Sequence, residues 1–359
     1  MRILAQYVAR EFLKFVCLLV VSFVAIYTIF DFIEKVDNFQ EAQVPASIML
    51  SFFLLQVPEI TVLMLPLTLL MATVLSLGLM SKRNEITALK SSGVSIFRFS
   101  LPILLLALAF TFASALINEG LLPQTKARTN YIWDILVEKR PGRLYHKEKF
   151  WYKGRNSMYR VGYYDPATQT LSNVVYYRFD KNFNLTMRVD ASRLRYVQDR
   201  WIFFNGLKQT LLPGGGYAAA PFKEMELKLP ETPQDLTRIV KPSEEMDFSE
   251  LARYVRKIDA EGYDARRYRV DLQAKLSFPF VCLIMALWGI PLALFKEKGR
   301  SLAPGVVLGL GAALVYWVGF SYVRSIFGYS GVLPPLLAVW LPNGVFGLAG
   351  LWMLTSIRQ

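Results

Sequence analysis

Residues 60–80 read "ITVLMLPLTLLMATVLSLGLM", and residues 81–96, which follow directly, read "SKRNEITALKSSGVSI". The first stretch carries no charged side chain and matches the about 20 apolar residues that a helix needs to cross roughly 30 Å of hydrocarbon. Backbone polar groups in lipid must be satisfied within the segment, so such a run reads as a transmembrane helix. The second stretch is more than a turn. Lys82, Arg83, Glu85 and Lys90 stand together with Ile86, Ala88 and Leu89 at helical spacing. A short amphipathic helix over about 84–92 is expected, with Asn84 as its N-cap and Gly93 as the residue that stops it. Glu85 in the first turn and Lys90 in the last both suit the helix dipole. A helix this short is marginal in water, so Ile86 and Leu89 are expected to dock against lipid headgroups or another protein.

The rest of the chain is segregated in the same way. It is 53% hydrophobic with 25 Phe and 18 Tyr, yet carries a formal charge of +13. Uncharged runs extend from Phe15 to Phe30, Ile60 to Met80, Phe99 to Asn118, Leu276 to Phe295, Ser301 to Val323 and Ser325 to Ile357. The expected fold is therefore a membrane α-helical bundle of six transmembrane helices. "FDFIEKVDNF" follows the first run where a signal peptide would have a small-residue cleavage site, so that run reads as an uncleaved anchor. Lys and Arg cluster before helix 1, between helices 2 and 3, between helices 4 and 5, and at the end. The positive-inside rule then puts both termini in the cytoplasm and the long segment between helices 3 and 4 outside. That segment, from Glu119 to Lys275, holds 28 Lys and Arg against 20 Asp and Glu; long translocated domains are exempt from the rule.

Between Lys149 and Leu229 the pattern changes to short alternating runs such as "KFWYK", "SMYRVG", "NVVYYRF" and "RWIFF", broken by Asp, Asn, Gly and Pro. Strands at this spacing predict an all-β sandwich or open jellyroll-like domain, its strand order left open. Beyond it Asp247 caps an expected helix whose stripe is Phe248, Leu251, Val255 and Ile258. The expected organisation is residues 1–122 for helices 1–3 and the loop helix, 123–246 for the β domain, 247–270 for a helical return, and 271–359 for helices 4–6.

Little here suits catalysis. His146 is the single histidine, Cys17 and Cys282 both fall within apolar runs, and no Gly-x-x-x-x-Gly-Lys-Ser/Thr motif occurs. No acid-base or metal constellation, ATP-binding P-loop, disulfide framework or cofactor site is expected. Glu59, after Pro58 inside the second run, reads as an ionisable residue at membrane depth that snorkels or pairs with a neighbouring span.

Three segments carry a resemblance: "FDFIEKVDNF", "VPEITVLMLPLTLLMATVLSLGLMSKRNEITALKSSGVS" and "DFSELARYVRKIDAEGYDARRYRVDLQAKLSFPFVCLIMALWGIPLAL". The chain resembles the LptF/LptG family of lipopolysaccharide export permeases over nearly its full length. Asp31 to Phe39 and "EGYDARRY" resemble the LptG branch more than LptF. The resemblance implies a non-catalytic inner-membrane subunit paired with a paralogous six-span subunit, LptF, and driven by a cytosolic LptB ATPase dimer. Lipopolysaccharide would be taken from the outer leaflet and passed to LptC and LptA, with the β domain periplasmic. No nucleic acid is expected as a partner. The loop helix would be the coupling helix, with Glu85, Ile86, Leu89 and Arg83 at the ATPase contact. The family tends to place a basic residue at the outer end of span 1, where Glu34 and Lys35 stand here.

A phosphorylated, many-chained lipid calls for cations around an apolar space, since Arg and Lys bind phosphate by charge-assisted hydrogen bonds. Candidates by expected depth are Lys35, Lys126, Arg128, Arg266, Arg267, Arg269, Lys275 and Arg324. In the β domain, Trp151, Tyr159, Tyr177 and Trp201 lie on one expected alternating face, as core or as an acyl-chain path. Two other classes compete: an ion-coupled secondary transporter, which would show broken helices with midplane charges that spans 3 to 6 are not expected to have, and a membrane-anchored assembly or sensor protein.

Overall fold

The computed structural model describes residues 2–139, 150–153, 157–165, 170–180, 183–197, 200–212, 216–227, 229, 242–260, 264–294 and 302–357. The chain forms two compact units, one of residues 1–41, 45–129 and 241–359, the other of residues 42–44 and 130–240.

The first unit is helical. Before the sheet it contains α1 (Arg2–Glu41), α2 (Ala46–Lys82), α3 (Glu85–Ser91) and α4 (Ile96–Leu116). A π-helical turn, Ile117–Leu121, joins α4 to α5 (Leu122–Tyr131); a second, Ile132–Val137, follows and is counted with the second unit. After the sheet come a 3₁₀ turn (Ser243–Glu245), α6 (Phe248–Ala260), α7 (Arg266–Ser277), α8 (Phe280–Leu294), α9 (Ala303–Tyr322), a π-helical turn (Val323–Gly328) and α10 (Pro335–Thr355).

Among the described residues, five helical runs are long and apolar enough to cross a bilayer, and six if α7 and α8, bent by 49°, count as one span. At about 1.5 Å per residue, the 15 residues of α8 reach only about 22 Å. Span 4 is therefore complete only with its polar first half. This corrects the expectation of unbroken helices in spans 3 to 6: span 4 breaks at Phe278 and Pro279, and spans 3 and 5 carry π-helical turns.

The helical run beginning at Ile96 continues to Val137, well past the residue 122 expected as its end. "LPQTKARTNY" is polar, yet its Gln, Lys, Ala and Arg are good helix formers. Leu122 N bonds the Ile117 carbonyl, one residue further back than in an α-helix, and this wider turn accommodates Pro123.

The unit is apolar on its surface. Leu18, Val21 and Phe30 of α1 and Val307, Leu314 and Val318 of α9 are exposed, whereas Thr68, Thr73, Ser76 and Ser100 are buried. The buried Thr73 hydroxyl bonds the Leu69 carbonyl, so it brings no unsatisfied donor into the core. Helix α8 lies close against α2 because Gly289 has no side chain: a Cβ there would sit 2.6 Å from Thr73 Cβ. Small residues that let backbones approach are how helices pack where water supplies no driving force.

The second unit is a six-stranded antiparallel sheet in sequential order: β1 (Phe150–Lys153), β2 (Ser157–Asp165), β3 (Thr170–Phe179), β4 (Leu185–Val197), β5 (Arg200–Leu211) and β6 (Tyr217–Leu227). One face is packed around Tyr159, Val161, Val174, Tyr176, Val189, Leu194, Trp201 and Phe203. Asn173 and Asn205 both have positive φ, and the pairings skip Gly162, Asn173, Ser192 and Asn205. These skips form a row across β2 to β5 where side-chain alternation reverses while the register on either side stays the same, so no strand carries an extra residue there.

Candidate functional site

The loop helix α3 takes its shape from two residues outside it. Gly93, at φ 80°, closes it: Gly93 N bonds the Lys90 carbonyl at 3.0 Å and Val94 N bonds the Leu89 carbonyl at 3.0 Å, a Schellman stop. Asn84 does something other than the expected side-chain capping. It adopts a left-handed conformation, φ 60°, with no side-chain bond to the helix, and so forms the corner between α2 and α3, a role that Asn tolerates well.

Ile86 is a correction as well. It is 1% exposed and packs with Val8, Phe12, Leu77, Met80 and Phe99 of its own chain, with Leu89 partly buried beside it. Local sequence could not reveal that α1 supplies this surface. Burial of an Ile side chain stabilises by about 1.5–3 kcal/mol, enough to hold a helix that would be marginal in isolation. Glu85 remains half-exposed: Tyr7 Oη of α1 donates to Glu85 Oε2 at 2.9 Å, and Arg83 Nη1 stands 3.8 Å from Oε1. What faces away from the bundle is therefore a carboxylate, the Arg83 guanidinium and part of Leu89.

At the other end of the helical unit, three of the candidate cations line one cavity of about 420 Å³: Lys126, Lys275 and Arg324. Glu59, Glu244 and Asp271 share the lining, and Val62, Leu63, Phe278, Trp317 and Phe320 supply its apolar part. Two of the cations are compensated. Lys126 Nζ lies 2.7 Å from Glu59 and 3.9 Å from Glu244, so Glu59 is paired with a neighbouring span. Arg324 Nη2 donates to Asp271 Oδ1 at 2.7 Å; Tyr329 Oη donates to the same oxygen at 2.6 Å, and Ser243 Oγ to Oδ2 at 2.7 Å. Asp271, which the sequence reading did not single out, is the hub of this network. Lys275 is half-buried and makes no ion pair or hydrogen bond among the described residues.

Two of the three π-helical turns described sit at this cavity. Ile117–Leu121 contains Asn118 and Val323–Gly328 contains Arg324 and Ser325, and such turns are frequent at functional sites. Glu119, from the first of them, accepts the N–H of Phe248 at 2.6 Å and so holds the start of α6. Asp247 caps α6: Glu250 N donates to its Oδ1 at 2.7 Å and Ser249 Oγ at 2.8 Å. Those bonds, the Glu250 N–H first, hold the Asp247 carboxyl below its ordinary value.

The other candidates do not join the cavity lining. Lys35 pairs with Asp31 at 2.5 Å, with its ammonium 5.4 Å from the centre of the Phe52 ring. Arg128 is exposed. Arg266 Nη1 donates to the Ser330 carbonyl at 2.9 Å, Arg267 lies over the Tyr329 ring, and Arg269 pairs with Asp259. In the sheet, Tyr159 and Trp201 are fully buried in the packed face. Tyr177 is not: the reversal at Asn173 turns Val174 and Tyr176 inward and Tyr177 outward, with the Arg188 guanidinium 5.7 Å from its ring centre. The Trp151 side chain and His146 lie outside the described residues.

Residues 6–356 match the family model described as "Lipopolysaccharide export system permease LptF/LptG". The chain is also similar to the lipopolysaccharide export system permease protein LptG of Escherichia coli (strain K12), 21% identical over 361 residues that cover 98% of each chain. The protein of the same name from Haemophilus influenzae is 21% identical over 364 residues and 99% of each chain.

Proposed function

The chain belongs to the lipopolysaccharide export system permease LptF/LptG family, and from that premise we propose that it is the LptG-type transmembrane subunit of an ABC exporter. In this reading it draws lipopolysaccharide sideways from the outer leaflet of the inner membrane and passes it to a periplasmic bridge of LptC and LptA. ATP is hydrolysed by a separate cytosolic LptB dimer, and the second six-span subunit is LptF. The termini and α3 are cytoplasmic, and the sheet is periplasmic.

One observation carries the reading: the cavity in which Lys275, free of any carboxylate partner among the described residues, meets Val62, Leu63, Phe278, Trp317 and Phe320. An ammonium above an aromatic and aliphatic floor suits a phosphate joined to acyl chains, and charge-assisted contacts to phosphate are strongest where water is partly excluded. Lys126 and Arg324, already paired, hold the cavity's walls and exchange partners only when a phosphate competes with Glu59 or Asp271. At the opposite end, Glu85 meets an arginine of the ATPase, with Arg83 and Leu89 beside it. Ile86 acts differently, by fixing α3 to α1 and α2 so that a push on the loop moves the spans. LptG rather than LptF is supported by the names of the relatives and by "EGYDARRY".

Co-purification of the tagged chain in detergent tests the assignment. Recovery of a small nucleotide-binding protein, a paralogous six-span chain and phosphorylated glycolipid is expected. A chain that purifies alone from a host expressing the whole export system overturns it.

A further inference from the structure

Span 4 is broken at Ser277–Phe280, and its break is stitched to two other spans. Pro279 has no N–H, and the next donors reach back only three residues: Val281 N bonds the Phe278 carbonyl at 3.0 Å and Cys282 N bonds the Pro279 carbonyl at 3.1 Å. The Ser277 carbonyl, whose α-helical partner would be the Val281 N–H, is thereby released inside an apolar bundle. Leaving such a group unpaired away from water is costly. The structure answers it from α10: Asn343 Nδ2 donates to the Ser277 carbonyl at 2.8 Å. The Asn343 side-chain oxygen in turn accepts the Tyr316 hydroxyl of α9 at 2.5 Å. All three residues are buried. Because a carbonyl can only accept, the orientation of the Asn343 amide is fixed, and with it the direction of the Tyr316 bond.

One face of the span N-terminal of the break lines the cavity, while Val270 and Ala274 also pack in a core cluster with Phe320 and Val339. Asp271, Ala274 and Lys275 of α7, with Phe278 at the break itself, make up that lining face. The C-terminal half contributes nothing to the lining and is largely core: Cys282, Ala286 and Ile290 of α8 pack with α1, α2 and α4. A change in the 49° angle would therefore move one cavity wall while leaving the packed half of the span in place.

We infer that Ser277–Pro279 is the pivot of the cavity's α7 wall and that Asn343 is the positioning residue that pins it, with Tyr316 orienting the pin. Loss of the Asn343–Ser277 bond frees α7 to swing and opens the cavity to its ligand. The ligand class, a phosphorylated amphiphile, rests on the function proposed above; the pivot itself does not.

The test uses the full chain in detergent with Cys17→Ser and Cys282→Ala and one reporter at a time, Ala274→Cys in the cavity wall or Ala313→Cys in the core. Both parent alanines are buried. Asn343→Leu, close in volume but without donor or acceptor, is expected to raise maleimide labelling at Ala274→Cys at least tenfold, and at Ala313→Cys by less than twofold. Tyr316→Phe, which only frees the Asn343 oxygen, is expected to raise the Ala274→Cys rate about threefold. Unchanged labelling at Ala274→Cys, or an equal rise at both reporters, overturns the pivot. If Asn343→Leu does not fold, Tyr316→Phe decides, and no change there is the overturning result. Diphosphorylated lipid A in mixed micelles is expected to protect Ala274→Cys in the unpinned chain. Absence of protection alongside an intact Asn343 effect refutes the cargo and spares the pivot.

Discussion

Two lysines on one cavity should answer the same substitution in opposite ways. Lys126 Nζ is 2.7 Å from Glu59, with side chains 21% and 33% exposed. At an effective dielectric of about 20 the direct attraction at that distance is about 6 kcal/mol, most of it offset by desolvation of both groups. Lys126→Met removes the partner and strands Glu59 among apolar side chains. For a fully buried pair that costs about 3–5 kcal/mol; the exposure here reduces it to about 1–2 kcal/mol. Lys275→Met breaks no pair among the described residues, and the methionine keeps the apolar stem against the cavity wall. Its stability should lie within about 0.5 kcal/mol of wild type, on either side. Lipid binding should reverse the order, because a phosphate loses its unencumbered cation. A charge-assisted hydrogen bond of about 1.5–3 kcal/mol corresponds to roughly a tenfold to hundredfold weaker lipid A affinity. Tryptophan fluorescence during SDS titration in mixed micelles reports stability, and displacement of a fluorescent lipid A reports affinity. If Lys275→Met is as destabilised as Lys126→Met and binds lipid A normally, Lys275 is architecture and the cavity reading is wrong.

Glu85→Lys should leave membrane insertion intact while abolishing association with the ATPase in pull-downs, since it reverses the charge offered by α3 and sets a second cation beside Arg83; export at the wild-type rate would sink the coupling role. Asp247→Ala should cost α6 about 1 kcal/mol at neutral pH, measured by amide exchange. Because the folded Asp247 carboxyl is held below its ordinary value, its contribution is complete above roughly pH 4. The gap between wild type and variant therefore narrows as pH falls through the lowered folded value, and a gap that widens in acid contradicts the cap. Gly206→Ala places a Cβ 2.1 Å from the Asp190 carbonyl and 2.5 Å from the Phe222 ring. Backbone must shift, so the sheet should lose about 1–3 kcal/mol, read as faster proteolysis of the full chain; wild-type resistance counts against the close strand approach.

Local chemistry was readable where one residue type has one physical solution. Gly93 stops α3 because few other residues accept its positive φ, and Asp247 caps α6 because its carboxylate reaches the Glu250 N–H. Asn84 shows the limit of the same reasoning. Asn favours both an N-cap and a left-handed corner, and only the path of the chain out of α2 selects the second. Tyr177 fails for a related reason: alternation by two predicts one face only while the backbone stays regular, and the reversal at Asn173, where φ is positive and the register is unchanged, sits in "LSNVVYY", a run with no Gly or Pro to announce it. Residue 122 is too early an end for the helix of span 3, because helix propensity and a π-helical turn carry the polar segment onward.

The cavity lay beyond reach for a deeper reason, since every bond that defines it joins distant parts of the chain. Glu59 was legible as an ionisable group at depth, but its answer, Lys126, lies on another span. Asp271 reads in sequence as one more charge before an apolar run; three-dimensional closure makes it the acceptor for Arg324, Tyr329 and Ser243. Pro279 was visible inside a run that otherwise looked like a straight span, and the consequence of its missing N–H is paid at Asn343, on the last helix. Pairing rather than charge is thus what separates the two uses of a cation here. Lys126 and Arg324, with carboxylates attached, fix the walls of the cavity, whereas Lys275 is held at its apolar edge with its charge still available. A phosphate that enters gains Lys275 without breaking an existing pair, and can draw in Lys126 or Arg324 only by displacing Glu59 or Asp271. Under the proposed function, occupancy and rearrangement of the walls would therefore be coupled, and because Asp271 and Lys275 both ride on α7, the angle of the broken span would be the coordinate along which that coupling acts.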